Sequence, residues 1–136
     1  MASSKTKTAA QRGAAFDRRI AAVKACIEAM PGATGSSLPS AKGVVLYKVV
    51  GKMFAIFEVN RFAGMILKCD PHLAEILRGK YEGIGHRSHL DRRHWIAVNF
   101  EADVPTKEIE RLIAHSYEQV CATLTRKQRA ELEAAS

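Results

Sequence analysis

The sequence predicts an α+β fold: a two-layer sandwich whose antiparallel sheet of four or more strands carries the N- and C-terminal helices on one face. Three observations lead there. Apolar residues recur at helical spacing near both ends of the chain, at Phe16, Ile20, Val23, Ile27 and Met30 and again at Ile109, Leu112, Ile113, Tyr117, Val120 and Leu124. Between them lie three β-branched and aromatic runs separated by turn-sized gaps, too close together for parallel crossovers. A fourth such run follows a short helix. The order helix, three strands, short helix, strand, long helix is that of an antiparallel sheet backed by helices.

Each element has a local reason. Residues 1–13 are small, polar and basic and read as a disordered arm; a single α+β domain over 14–124 and a polar, helical or frayed tail over 125–136 complete the chain. Arg18, Asp17, Lys24 and Glu28 fall away from the first apolar stripe, which makes that helix amphipathic. Pro31-Gly32 ends it. Ala33 to Gly43 reads as a loop, since Gly, Ser, Thr and Pro dominate it. Val44–Val50 and Met53–Val59 form a hairpin about Gly51-Lys52, and Phe62–Cys69 follows after Asn60-Arg61. Asp70-Pro71 starts a short helix as N-cap and first helical residue, Leu73, Ile76 and Leu77 give it an apolar face, and Gly79 ends it. Lys80 to Arg93 is a long loop, His94–Phe100 the fourth strand, and Pro105 opens the last main helix.

Composition narrows the function classes. The 136 residues suffice for one domain, and 47% hydrophobic with 26% charged residues is ordinary for a globular chain. No apolar run approaches the ~20 residues of a membrane helix, so no membrane partner and a cytoplasmic location are expected. Cys26, Cys69 and Cys121 are odd in number and far apart, which argues against a disulfide framework and fits a reducing compartment. The net charge is +7 with a pI near 9.6. The excess sits in two regions, Met1–Lys24 with six basic residues against one acidic, and Lys42–His94 with ten against five. Such an asymmetry points to an anionic partner, nucleic acid first.

Chemistry-bearing residues concentrate between His86 and Phe100. That stretch holds three of the five histidines, three arginines and the single tryptophan, a basic approach running into the apolar Trp95–Val98. His86-Arg87-Ser88-His89 has a metal-ligand spacing, but Arg87, Arg92 and Arg93 would repel a cation; no metal and no other cofactor is expected. No phosphate-cradling loop, nucleophile elbow or metalloprotease motif is present. His115 and Ser116 diverge by ~100° on a helix, so they form no dyad, and no catalytic residues are assigned. Ser116 is read as a small residue that lets the helix pack closely. The candidate phosphate contacts are Lys52, Lys68, Arg87, Arg92 and Arg93, assisted by Lys5, Lys7 and Arg12 of the arm. Trp95 reads as a core anchor. The expectation is a non-enzymatic DNA-binding protein, a monomer or weak dimer. The alternative is a protein-interaction or small-ligand module that uses the open face of the sheet, because Met53–Val59 is apolar on both faces.

Several pieces, in order, resemble a known family: Gly51-Lys52-Met53-Phe54-Ala55, Leu67-Lys68-Cys69-Asp70-Pro71 and Arg93-His94-Trp95-Ile96-Ala97-Val98, then Asp103-Val104-Pro105, Leu112-Ile113 and Ser116-Tyr117. The set is similar to the YjbR/MmcQ-like family of small bacterial proteins, over roughly Ile20 to Arg129. The resemblance implies a frataxin-like (CyaY-like) sandwich and a DNA-binding role, and it brings no catalytic residues. Residues 83–89 lack the proline and the Tyr-His pair usual in that family, so no ligand contact is carried over to them.

Overall fold

The structure is a computed structural model that describes residues 13–60 and 62–135. The basic arm expected over residues 1–13 lies outside these residues except for Gly13. Helix α1 (Ala14–Glu28) forms where the first apolar stripe predicts it, and it buries Val23 and Ile27. The following Ala33 to Gly43 segment is not a loop. Ala33–Leu38 is an edge strand, β1, antiparallel to β2 (Ala41–Val49). Its small, polar residues are almost all exposed, and Gly35 lies so close beneath Tyr47 that a Cβ there would sit 2.9 Å from the ring. An edge strand covered on one flank needs little hydrophobicity, so composition alone reads as loop.

The hairpin to β3 (Lys52–Val59) turns on Val50-Gly51, one residue earlier than the sequence suggests. Both residues have positive φ, +47° and +76°, as a type I′ turn requires; valine is unusual in that region. Strand β4 (Ala63–Lys68) pairs with β3, helix α2 (Pro71–Lys80) follows, and β5 is only Ile84–Gly85. Strand β6 (Trp95–Asn99) inserts between β4 and β5, giving a six-stranded antiparallel sheet in the order β1-β2-β3-β4-β6-β5. Helix α3 (Thr106–Cys121) lies against α1 and across β3 and β4. The chain then forms a separate helix, α4 (Arg126–Ala135). Its start is a capping box: the Thr125 hydroxyl accepts from Gln128 N–H and the Gln128 carboxamide accepts from Thr125 N–H. Leu132 of α4 packs against the core.

The two faces of the sheet differ sharply. Cross-strand partners share a face, so Tyr47, Ala55, Phe57, Met65, Leu67, Ile96 and Val98 all point toward α1 and α3, and all are buried. Opposite them, Leu46, Ile56, Ile66, Lys68 and Trp95 form an open face of half-buried side chains. A bulge adjusts β3. Tyr47 faces Ala55 while Lys48 faces Met53, so Phe54 is an extra residue. The bulge turns Phe54 inward, edge-on to Tyr117 of α3 at 5.5 Å between ring centroids.

Ser116 fastens the layers together. Fully buried on α3, its hydroxyl donates to the Phe54 carbonyl (2.6 Å) and accepts from the Lys68 N–H (2.8 Å). It is a hydrogen-bond bridge rather than a mere allowance for close packing. Beside it, His115 Nε2 accepts from the Asp70 N–H at 3.1 Å.

A cationic and aromatic surface on the open sheet

Strand β4 ends at Lys68 and β6 begins at Trp95, and these two residues are cross-strand partners on the open face. The Lys68 ammonium stands 5.9 Å from the centre of the indole. At this distance the contact is at the outer limit of a cation–π attraction. Trp95 is therefore half-buried on the open side and not a core anchor; the buried anchor of the strand is its neighbour Ile96. Residues of alternating parity in a strand take opposite sides, and the apolar run Trp95–Val98 hid which of them would face in.

The turn before Trp95 is built by Asp91. Its carboxylate accepts from the Arg93 N–H at 3.0 Å and lies 2.7 Å from His94 Nδ1, while His94 N–H returns to the Asp91 carbonyl. The bond to His94 first, then that to the Arg93 amide, holds the Asp91 carboxyl below its usual range. Arg78 of α2 clamps the same turn: its Nη2 donates to the carbonyls of Arg92 (2.6 Å) and Trp95 (2.9 Å). The Cys69 N–H adds a bond to the His94 carbonyl. Arg92 and Arg93 are thus exposed side chains on a fixed backbone.

Arg87 lies at the other end of the β4–β6 pair. Its guanidinium sits 3.9 Å over the ring of Phe62, whose edge covers Gly64 on the open face. Since β6 lies between β5 and β4, the contact between these two side chains spans β6. Ala97, an open-face residue of β6, is only 6% exposed. Four residues of strand, about 13 Å, separate this end from Lys68 and Trp95.

The five sequence-assigned cations are therefore not one cluster. Lys68, Arg87, Arg92 and Arg93 flank the β4–β6 pair, and among the described residues none has a carboxylate within ion-pair distance. Lys52 stands apart. Its ammonium donates to the carbonyl (3.0 Å) and hydroxyl (3.2 Å) of Thr123, where a cation is favourable at the C-terminal end of α3. Arg78 was not foreseen as part of the surface. A signal existed: Ala74 and Leu77 are the buried residues of α2, and Arg78 lies one turn from Ala74, a charge on the inward stripe. Ile76, expected inside, is instead 51% exposed. Among the described residues no three of His, Cys, Asp and Glu gather to hold a metal, and no helix is long and apolar enough to cross a membrane.

This architecture and surface define a class: a small α+β domain with one face of its antiparallel sheet packed by helices and the other left open. The family model for YjbR matches residues 28–119, and the chain belongs to the YjbR family. It is 32% identical over 102 residues to the uncharacterized protein YjbR of Escherichia coli K12, which spans 74% of this chain and 86% of that one. The YjbR protein of strain O157:H7 matches to the same extent. Among solved structures, Deinococcus radiodurans protein DR2400, with a DUF419 domain, superposes with a TM-score of 0.74 at 24% identity, covering 84% of this chain and 87% of its own. A Pseudomonas syringae protein gives 0.56 at 24% identity, over 64% and 86%. These likenesses establish the fold.

Proposed function

We propose that the protein binds DNA, without catalysis, through the open face of the β4–β6 pair. The observation that carries this reading is the pairing of Lys68 with Trp95 and of Arg87 with Phe62 on the open face, with Arg92 and Arg93 exposed in the turn that leads into Trp95 and none of the four cations in an ion pair among the described residues. Phosphates would meet the cations, and a base would stack beside Lys68 on the half-buried indole, as on single-strand platforms. Lys52 is left out of the surface because its ammonium already serves Thr123.

Titration of a labelled single-stranded oligonucleotide at roughly 50 and 200 mM salt tests the reading. Four phosphate contacts give a log–log salt slope near −2.8, hence about a 50-fold loss of affinity across that range. Binding that is absent at micromolar protein, or insensitive to salt, overturns it. The apolar centre of the same face, Leu46, Ile56 and Ile66, then favours a protein partner or small ligand, whose binding would survive charge reversal at Arg92 and Arg93.

A further inference from the structure

Between α2 and the Arg92–Arg93 turn lies a shallow pocket of about 250 Å³, lined by Pro71, His72, Glu75, Arg78, Arg92 and Arg93. It is smaller than the ~300–1,000 Å³ of drug-sized sites, so it suits one compact charged group and a fragment of whatever carries it. We infer that this pocket binds a phosphomonoester, either the terminal phosphate of a nucleic-acid strand or a free phosphorylated small molecule. The site shares Arg92 and Arg93 with the DNA surface, but it does not depend on DNA being the ligand.

Three features support this assignment. Three arginines and one glutamate line it, a balance of two positive charges before His72 is counted. A phosphomonoester near neutral pH carries close to two negative charges and three terminal oxygens, whereas a diester within a strand carries one charge. The cations are also crowded, and the charge of Glu75 offsets the crowding at Arg78 only in part. Glu75 forms no ion pair with any of them, and burial, then the nearby charge of Arg92, depresses the pKa of Arg78. An anion between these arginines would remove a repulsion that the fold otherwise sustains.

The third feature is preorganisation. Arg78 commits Nη2 to the two carbonyls of the turn, and its Nε is buried without a hydrogen-bond partner. Buried donors of that kind are rare because each costs desolvation energy. The Asp91 turn fixes the backbone of Arg92 and Arg93, so their side chains alone need ordering on binding. The N-terminus of α2 contributes little, since Asp70 already accepts from the His72 and Leu73 amides.

The test compares three probes on the full chain: a short labelled strand with a 5′-phosphate, the same strand with a 5′-hydroxyl, and inorganic phosphate. The phosphorylated strand is expected to bind about tenfold more tightly than its twin. Arg93→Ala should reduce that preference to within about twofold, and Glu75→Gln should widen it. Lys68→Ala should weaken both strands alike and leave the preference unchanged. If the strands bind equally while inorganic phosphate raises the thermal midpoint of the wild type but not of Arg93→Ala, the pocket takes free phosphorylated small molecules. If no strand binds but phosphate does, the DNA reading fails and the pocket stands. Equal strand binding, or none, together with no response to phosphate overturns the pocket.

Discussion

Ile66 and Leu67 are neighbours on β4 with similar side chains, yet they occupy different worlds. Leu67 is fully buried between the sheet and α3, and Ile66 is half-buried on the open face beside Lys68 and Trp95. The same alternation separates Phe57 from Ile56 and Ile96 from Trp95. One side of the sheet is therefore organised by packing, the other by charge. Ile56 and Ile66 are as apolar as their inward neighbours, and the covering helices make the difference in their burial.

Substitutions should keep these two sides apart. Leu67→Ala should cost about 3 kcal/mol in urea unfolding, and Ile66→Ala only about 1 kcal/mol. Comparable losses would break the distinction. Ser116→Ala should cost about 2 kcal/mol, because it strands the Lys68 amide and the Phe54 carbonyl in a buried place. On the open side, Arg92→Ala with Arg93→Ala should flatten the DNA salt slope by about 1.4 and shift stability by less than about 0.5 kcal/mol. Lys52→Ala should do the reverse, leaving DNA affinity unchanged while costing about 0.5 kcal/mol at the end of α3, as denaturation and titration of one variant can show.

The smallest effect lies away from both sides. The Asp103 carboxyl accepts from the amides of Glu82 and Gly83, which lower its pKa. A depressed native pKa stabilises the fold above the ordinary aspartate value near ~3.9, and the contribution disappears as pH falls through the native pKa. Asp103→Asn should accordingly make stability less steep below pH ~4 and leave salt-dependent binding untouched; acid titrations followed by circular dichroism would show it.

The helical stripes, the capped start at Asp70 and the meander of β2, β3 and β4 were legible in the sequence because each follows a local period or cap. Strand β1 was not. Its Gly35 and its serines suit an edge beneath Tyr47, a context that composition does not carry. The facing of β3 was equally hidden, since both its parities are apolar and the Phe54 bulge shifts them midway. For the surface, the cations were visible as a charge excess, but only the fold parts Lys52 from the rest and adds Arg78. Trp95 was misjudged because an apolar run does not say which alternate residues face inward.

The Ser116 bridge has a further consequence for alignment. It grips β3 at the bulge and β4 at Lys68, two strands that could otherwise slide past one another with little change in backbone bonding. A one-residue slip of β4 would send Lys68 into the helix-covered layer and Leu67 to solvent. A single hydroxyl on the hidden side thus reinforces, together with the burial of Met65 and Leu67, the register that decides which side chains the protein shows.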